Sequence, residues 1–398
     1  MRIVVLIESL TFGGAERQAC VLAGEFKRRG HQVCVATYHQ DDFYRPLLER
    51  EQVEHRFLGG QGKISWALNV RRFLRTHGQD VVLAFLPGPS AYAELAGLPR
   101  RSWGLVVSER SAGIVSKLSV KTHLHMLADF VTVNSHSART AIEKRLPLLR
   151  PRLITIYNVV RVENTEPERR VPVESTGIRL VVPASLDRNK NAQGLLSALA
   201  TLRAAKPPLS VCVDWYGSQK VEPELLPEIR KTVTDQGLDS VFHLHPATDR
   251  IHDLMSQADA VMLPSFNEGL PNAVCEGMML GKPILMSNVC DARYLVREGG
   301  NGFLFNPCSP DSIADAIRRL VQLTPEERSR MGTASRRMAE TLFDIETIVD
   351  RYLRVLQAAA ENRRIPLEHW PGAVPDTALQ ATGLTRSEAR NKDRLGCS

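Results

Sequence analysis

Two glutamates and a lysine lie where predicted parallel strands end. Glu268 follows the predicted strand Ala260–Leu263 and precedes a helix that contains Glu276, and Lys190 follows the predicted strand Arg179–Pro183. Backbone N–H groups at a helix start bind anions, carboxylates accept hydrogen bonds from hydroxyls, and a lysine stabilises a departing phosphate. These groups suit a ligand that carries both hydroxyls and phosphate, as a sugar nucleotide does.

The helix that follows Glu268 has sequence signals at both ends. We predict that Pro271 is its first helical residue and that Gly281 lies just past its end, because proline suits the first turn and glycine the C-terminal stop. Apolar neighbours such as Val274 predict a buried environment for Glu276, and a buried carboxylate needs hydrogen-bond donors, which ribose hydroxyls would supply. An exposed loop carboxylate at 268 and an ordinary helical glutamate at 276 are the alternatives.

Lys190 lies near the predicted start of a helix, where a cation opposes the helix dipole. A role facing a diphosphate is therefore more natural than a structural one, although a solvated loop lysine is the alternative. Arg188, two residues earlier, offers a second positive charge for the same phosphates.

Gly13 and Gly14 join the first predicted strand, Ile3–Ile7, to its helix. Two glycines let the backbone approach a phosphate closely, but a plain tight turn explains them equally well. Their spacing is not the GxGxxG of dinucleotide-binding proteins, so no nicotinamide-binding function is indicated.

Glu109 and Arg110 end another predicted strand, Leu105–Ser108. We expect them either to contact a bound sugar or acceptor phosphate, or to form an internal ion pair. His123 and His125 fall in a predicted helical stretch, where a satisfied structural histidine is the favoured interpretation.

Short apolar strands alternate with helices along the chain, which predicts α/β structure with two doubly wound parallel sheets. The further predicted strands are His31–Thr37, Val81–Leu86, Phe130–Asn134 and Leu153–Tyr157 in the first half, and Val211–Tyr216, Phe242–His245 and Pro283–Ser287 in the second.

We predict an N-terminal domain of residues 1–165, completed by a C-terminal helix at about 345–365, and a second domain of residues 178–343. Arg161–Gly177 is the predicted linker, and 366–398 a partly ordered or disordered tail. Ligands of such sheets bind at the carboxyl ends of the strands, here in a predicted cleft between the domains.

The charge of the 398-residue chain is uneven. Its net charge is +7, and residues 1–175 hold 25 Lys+Arg against 17 Asp+Glu. This excess predicts either an ordinary solvated surface or attraction to an anionic partner, such as phospholipid headgroups or a phosphorylated acceptor. Aromatic residues make up only 6% of the chain and no nucleic-acid-binding motif is present, so we expect no nucleic acid partner.

Several motifs are absent from the sequence. No Asp-x-Asp pair, zinc-ligand spacing, P-loop or GxSxG elbow occurs, so we expect no bound metal and no other cofactor. The seven cysteines are odd in number and never form a CxxC pair, which predicts reduced thiols. With no apolar run long enough to cross a membrane and no signal peptide pattern, we expect a cytoplasmic protein at the inner face of the cell membrane.

Together these segments resemble the family 4 glycosyltransferases, retaining enzymes of GT-B fold that use nucleotide-activated sugars. The motifs that carry the resemblance are Gly13-Gly14-Ala15-Glu16-Arg17, Arg29-Gly30-His31-Gln32-Val33, Ser108-Glu109-Arg110-Ser111, Tyr157-Asn158, Lys190, and Pro264 to Pro283. The last contains the Glu-x7-Glu element of the family, with Glu268 and Glu276 as its two carboxylates.

The resemblance implies roles for these residues. Glu276 would bind the ribose of the donor, Glu268 the transferred sugar, and Lys190 the departing diphosphate. Gly14 would approach the phosphates from the other domain. Sugar and phosphate contacts would come from the backbone of Gly269, Leu270, Pro271 and Asn272. Many relatives have an arginine where this chain has Ser185, and Arg188 would substitute for it.

The function implied is retaining, metal-independent transfer of a hexosyl or N-acetylhexosaminyl group from a nucleotide-diphosphate sugar. The acceptor would be a membrane-associated glycan or a lipid-linked molecule in polysaccharide or glycoconjugate assembly. Two alternatives stay open: a non-catalytic subunit that binds a nucleotide or a glycan, motivated by Ser185, and a GT-B-fold sugar-nucleotide epimerase.

Overall fold

The computed structural model describes residues 1–110, 123–162, 177–207, 209–219 and 221–365. Their contacts divide them into two compact units. The first comprises the described residues from Met1 to Val159 together with those from Phe343 onward, and the second comprises those from Val160 to Leu342. Ser111, most of the predicted linker and the whole of the predicted tail lie outside the described residues.

Thirteen β-strands occur in the described part of the chain. They are β1 (Arg2–Leu6), β2 (Gln32–Thr37), β3 (Glu54–Phe57), β4 (Val81–Phe85), β5 (Gly104–Glu109), β6 (Phe130–Val133), β7 (Leu153–Thr155), β8 (Ile178–Pro183), β9 (Val211–Tyr216), β10 (Phe242–His245), β11 (Ala260–Leu263), β12 (Ile284–Ser287) and β13 (Gly302–Phe305). Central strands such as β1 and β4 are almost entirely buried, as expected of parallel strands covered on both faces.

The α-helices of the same residues alternate with these strands. They are α1 (Gly14–Arg28), α2 (Arg45–Arg50), α3 (Gly62–Thr76), α4 (Pro87–Ala96), α5 (His136–Arg145), α6 (Ala192–Ala204), α7 (Leu225–Asp235), α8 (Ile251–Gln257), α9 (Asn272–Met279), α10 (Ala292–Leu295), α11 (Pro310–Gln322), α12 (Pro325–Leu342) and α13 (Ile345–Ala360). No helix among the described residues has the length and apolarity needed to span a bilayer.

Each unit contains one parallel sheet whose strand order reverses at its middle. The first sheet has the order β3-β2-β1-β4-β5-β6-β7, and the second has the order β10-β9-β8-β11-β12-β13. Sheets of this kind bind ligands at the switch point, where the chain leaves two neighbouring strands in opposite directions. The switch point lies between β1 and β4 in the first unit and between β8 and β11 in the second.

The C-terminal helix α13 belongs to the first unit. It packs against β4, β5 and α1, and its buried face includes Tyr352, Val355 and Leu356. Close contact with the sheet requires Gly104 at the start of β5, where a Cβ atom would lie 2.4 Å from the backbone of Ala359. The first sheet is therefore completed by a helix that is distant in sequence.

The cysteines differ in one respect from the expectation that all are reduced. Five of the described cysteines are free thiols, and three of these, Cys20, Cys34 and Cys275, are buried in the two cores. Cys308, at the turn that precedes α11, is instead disulfide-bonded, so the expectation is wrong for that residue.

Candidate functional site

The candidate site of the second unit lies at its switch point. Strands β8 and β11 are hydrogen-bonded neighbours, with Val181 opposite Val261. The chain leaves β8 towards β9 on one side and leaves β11 towards β12 on the other. The loops 184–191 and 264–271 therefore begin side by side at the carboxyl edge of the sheet, where ligands of such folds bind.

Hydrogen bonds fix these two loops to each other. The Phe266 amide donates to the carbonyl of Asn189 over 2.8 Å, and the side-chain amide of Asn189 donates to the carbonyl of Asn267 over 2.8 Å. Asn191 is buried in a left-handed conformation, φ 59°, and its side-chain amide donates to the carbonyl of Pro264 over 3.1 Å. Asparagine tolerates this conformation better than most residues. The side chains carried by the two loops are thus held in a defined relation.

This arrangement brings together Lys190 and Glu268, the two residues that the sequence predicts as catalytic. Lys190 Nζ donates to Glu268 Oε1 over 2.6 Å, and the two side chains are 20% and 12% exposed. Asp187 caps the turn that carries the lysine by accepting from the Lys190 amide over 3.2 Å. The result is a half-buried, charge-assisted hydrogen bond at the switch point.

Glu276 lies one helix turn inside α9, next to a histidine that the sequence did not indicate. Its Oε2 atom is 3.3 Å from Nε2 of His252 on the adjacent helix α8, and the two side chains are 12% and 11% exposed. The two atoms are close enough for an ion pair when the imidazole is protonated, although their geometry does not make a hydrogen bond. The only sequence signal for His252 is a histidine at the second position of a short helix, which alone indicates no function.

The start of α9 differs by one residue from the prediction. Pro271 is the N-cap, with an extended backbone at φ −74° and ψ 98°, and the helix begins at Asn272. Proline fits this position because it needs no backbone donor there. Gly269, Leu270 and Pro271 thus form the loop that leads to the first amides of α9, a group suited to an anion. The predicted end is confirmed, since Gly281 follows the helix with φ +69°.

Arg188, predicted as a second phosphate contact, is paired with two carboxylates of the second unit. Its guanidinium donates to both carboxylate oxygens of Glu228 over 3.1 and 3.2 Å and approaches Glu222 at 3.6 Å. The side chain is 61% exposed, and its charge is directed to α7 and the segment before it. Ser185 Oγ donates to Asp187 Oδ2 over 2.6 Å. Lys190 is thus the cation that the structure places at Glu268.

In the first unit Gly13 and Gly14 lie at the start of α1, after the loop that leaves β1 at the switch point. Gly13 is the N-cap of α1 with an extended backbone, and a Cβ atom there would lie 2.1 Å from Oε2 of Glu16. Burial raises the pKa of Glu16, and the nearby charges of Glu8 and Asp41 raise it further. A carboxyl group therefore lies directly over the glycine turn.

Arg110 is engaged within the first unit. Its guanidinium donates to Asn158 Oδ1 over 2.5 Å and to the Tyr352 hydroxyl over 2.6 Å, and it lies over the ring of Phe85. These partners are neutral groups of the same unit, so the contacts differ from the internal ion pair that the sequence offered as an alternative.

Glu109 belongs to a buried group around His125. His125 Nδ1 is 2.8 Å from Glu94 Oε1, and its Nε2 is 3.8 Å from Glu109 Oε2. Burial alone would lower the pKa of His125, but hydrogen bonds with Glu109 and Glu94 and their charges outweigh it and raise this pKa to about 9. The prediction of a satisfied structural histidine is confirmed for His125.

Known families match both halves of the chain. The sequence model of Glycosyltransferase Family 4 matches residues 12–164, and that of glycosyl transferases group 1 matches residues 164–338. The protein EpsD of Bacillus subtilis strain 168 is 31% identical over 199 residues, 46% of this chain and 50% of EpsD. The D-inositol 3-phosphate glycosyltransferase of an Arthrobacter species is 24% identical over 204 residues, 48% of this chain and 46% of that protein. The chain spans about half the length of these curated relatives.

Solved structures extend the likeness over most of the chain. The crystal structure of HepE from Anabaena in complex with UDP and glucose has a TM-score of 0.78 and 22% identity, and covers 90% of this chain and 100% of HepE. The complex of HepE with UDP-glucose has a TM-score of 0.79 and 21% identity over the same shares of the two chains. At this identity the likeness shows the fold, two Rossmann-like parallel sheets of GT-B type. The two family models together match residues 12–338, and on that match the chain belongs to the family 4 glycosyltransferases.

Proposed function

We propose that this protein transfers a sugar from a nucleotide-diphosphate sugar to an acceptor, with retention of configuration and without a metal ion. The observation that carries the proposal is the pair of Lys190 and Glu268 at the switch point of the second unit, at 2.6 Å, with the loop to α9 beside it. At this one edge of the sheet, the Lys190 ammonium and the start of α9 can bind phosphate, and the Glu268 carboxylate can accept hydrogen bonds from hydroxyls.

The ion pair suggests how the donor would engage the site. A diphosphate carries more negative charge than one carboxylate, so it would draw the Lys190 ammonium towards itself. Glu268 would then accept hydrogen bonds from sugar hydroxyls in place of the ammonium. Lys190 and Glu268 would thus each have a partner both with and without the donor, which limits the free-energy cost of desolvating their charges. Lys190 would stabilise the negative charge that develops on the leaving phosphate.

Glu276 and His252 would bind the nucleoside. The carboxylate of Glu276 would accept from both ribose hydroxyls, and a protonated His252 at 3.3 Å would attract its charge from the other side. The HepE complexes with UDP and UDP-glucose make a uridine nucleotide the first donor to test. The transferred group would be a hexosyl or an N-acetylhexosaminyl group.

The acceptor would be a glycan or lipid-linked molecule at a membrane surface. Helix α3 of the first unit exposes Ile64 and Leu68, 80% and 59% exposed, on one helical stripe with Arg72. Lys63 precedes this stripe, and residues 1–175 hold an excess of positive charge. Exposed aliphatic side chains beside basic ones suit an anionic lipid surface.

A binding function without catalysis is the second candidate. It is favoured by Ser185 and Arg188, since the first is neutral and the second is paired with Glu222 and Glu228. A site with one cation holds a leaving diphosphate less strongly than a site with two.

Two measurements separate these functions. A thermal-shift panel of UDP, GDP, ADP and CMP identifies the nucleotide, because a tight ligand raises the melting temperature. Release of that nucleotide from the matching sugar donor is then followed with and without a membrane extract as the source of acceptor. Acceptor-dependent release supports transfer. Binding without release over a panel of donors supports the binding function, and a changed donor sugar seen by NMR without acceptor supports epimerisation.

A further inference from the structure

A second group of chemically reactive side chains lies on one face of the strands β9 and β10, outside the donor site. Cys212 and Asp214 alternate along β9 and therefore project to the same face of the sheet. His243 lies opposite Asp214 in the neighbouring strand, and His245 follows on the same face. A thiol, a carboxylate and two imidazoles are thus brought together from two strands.

Two of the distances within this group match those of a tetrahedral metal site. Cys212 Sγ is 3.6 Å from His243 Nδ1, and His243 Nδ1 is 3.4 Å from Asp214 Oδ1. Sulfur, nitrogen and oxygen ligands bound to Zn²⁺ at about 2.0–2.3 Å lie roughly 3.4–3.6 Å apart from one another. One ligand atom from each of the three residues lies within 4.8 Å of the others.

Two further residues hold the carboxylate in place. Arg179 on β8 donates from Nε to Asp214 Oδ2 over 2.6 Å, and His245 Nε2 is 2.8 Å from Asp214 Oδ1. Asp214 itself is only 3% exposed. Metal-ligating carboxylates are usually oriented by hydrogen bonds of this kind. The Arg179 charge also offsets one of the two negative charges that a thiolate and a carboxylate would bring.

We propose that Cys212, His243 and Asp214 bind one divalent transition-metal ion, with Zn²⁺ the favoured ion. A thiolate and an imidazole select Zn²⁺ or Co²⁺ over Mg²⁺ and Ca²⁺, which prefer oxygen ligands. Binding releases the thiol proton of Cys212. His243 is 40% exposed, so a metal ion can enter from solvent, and a water molecule completes the fourth position.

The proposed ion has a structural role in the second sheet. Its ligands lie on two strands, and one of them, β10, is the edge strand of the sheet. A metal ion that joins β9 to β10 would stabilise this edge. Its ligands lie within strands, whereas Lys190 and Glu268 lie in loops at the carboxyl ends of β8 and β11. The proposal does not depend on the proposed glycosyl transfer.

Cobalt titration of the full-length, EDTA-treated protein tests this proposal. We expect one equivalent of Co²⁺ to produce the visible absorption of tetrahedral cobalt together with a thiolate-to-cobalt band. Cys212→Ser should abolish the thiolate band, and His243→Asn should weaken binding by about 10–100-fold. Cys34→Ser and His39→Asn, both in the first unit, are the matched controls and should bind like wild type. A thiolate band that persists in Cys212→Ser, or the absence of saturable binding by wild type, would overturn the proposal.

Alkylation of the wild-type protein gives a test that requires no variant. Iodoacetamide labelling of Cys212, followed by peptide mass spectrometry, should slow at least about tenfold when one equivalent of Zn²⁺ is present. The labelling of Cys290, a half-buried free cysteine of the same unit, should not change with Zn²⁺. Equal labelling rates of Cys212 with and without Zn²⁺ would contradict the site even if both variants failed to fold.

Discussion

The two carboxylates of the candidate site, Glu268 and Glu276, have different partners. We therefore expect different effects when each is replaced by the neutral glutamine. Glu268 is paired with Lys190 at 2.6 Å, whereas Glu276 lies 3.3 Å from His252. Removing one partner of a half-buried ion pair leaves the other charge available to a ligand of opposite sign. The ammonium of Lys190 would then meet a diphosphate without competition.

Glu268→Gln should therefore slow sugar transfer by about 100-fold or more while the nucleoside diphosphate binds at least as tightly as to wild type. Glu276→Gln should weaken nucleotide binding by roughly 10–100-fold, because hydrogen bonds to a charged group contribute about 1.5–3 kcal/mol. Calorimetric titration and initial rates of transfer check both effects. Glu340→Gln, at a surface pair with Arg336, is the control. If both site variants bound and turned over like wild type, the assignment of these carboxylates would fail.

The buried histidine of the first unit makes stability depend on pH. The pKa of His125 is about 9 in the folded protein, against about 6.5 in an unfolded chain. A pKa that is raised on folding stabilises the fold fully below pH 6.5, and this stabilisation is lost as the pH rises through about 9.

We expect the free energy of unfolding of wild type to fall by on the order of 1–3 kcal/mol more than that of His125→Gln between pH 7 and pH 10. Urea denaturation across this range measures the difference. The glutamine keeps a donor for Glu94 but has no titrating proton. Parallel pH profiles of the two proteins would show that His125 is not charged in the fold.

Residue types and spacing predicted that Lys190 and Glu268 follow two strands and that Glu276 lies on the helix beyond, and the structure has them at these positions. Residue types and spacing did not predict the contact of His252 with Glu276 or that of Arg188 with Glu228. The partners of these two contacts are 24 and 40 residues apart in sequence, so no local motif indicates them. The group around Asp214 was missed for the same reason. Its ligands lie on different strands, 31 residues apart, so they show no motif spacing.

At the scale of elements, the contact between α13 and β5 depends on one residue without a side chain. A Cβ atom at Gly104 would lie 2.4 Å from the carbonyl carbon of Ala359 and 2.6 Å from its oxygen. Backbone atoms in a packed helix cannot move independently, so an added methyl group would displace the helix from the sheet.

Gly104→Ala should therefore lower the free energy of unfolding by about 1–3 kcal/mol, the usual cost of overpacking. Gly300→Ala is a suitable control, since its Cβ would meet only the flexible side chain of Arg297. Chemical denaturation of both variants checks the prediction. Equal stability of the two variants would show that α13 does not pack closely at Gly104.

Most elements were predictable from hydrophobic patterns, and the exceptions have physical causes. The edge strand β3 (Glu54–Phe57) is largely exposed and polar, so it has no apolar run to indicate it. Strand β13 (Gly302–Phe305) is short and follows a glycine-rich turn, so the sequence pattern of the whole segment is typical of a loop. Pro271 was placed one residue too far into α9 because proline is acceptable both at the N-cap and at the first helical position.

At the scale of the whole molecule, positive charge and exposed apolar surface both occur in the first part of the chain. Residues 1–175 have a net charge of +8, and α3 exposes Ile64 and Leu68. Attraction between basic residues and anionic lipid acts over about a Debye length and weakens with salt, whereas insertion of aliphatic side chains does not. The two contributions can therefore be separated experimentally.

We expect the protein to cosediment with vesicles that contain anionic lipid but not with neutral vesicles, and to dissociate as salt is raised. Replacing Ile64 and Leu68 together by serine should lower the partition coefficient by about tenfold or more. Leu148→Ser is the matched control, because Leu148 is 75% exposed elsewhere in the same unit. Equal binding to neutral and anionic vesicles would contradict the electrostatic contribution, and no binding to either would contradict a membrane-associated acceptor.

We propose that Lys190 holds the diphosphate of a nucleotide-sugar donor while Glu268 contacts the sugar. The most direct test compares Lys190→Ala with Lys231→Ala, an exposed lysine on α7 of the same unit. For each protein, the rate of sugar transfer and the affinities for the nucleoside diphosphate and monophosphate are measured. We predict that Lys190→Ala slows transfer by about 100–1,000-fold and no longer prefers the diphosphate, whereas Lys231→Ala behaves like wild type. Transfer by Lys190→Ala at the wild-type rate, with the preference for diphosphate intact, would contradict the claim.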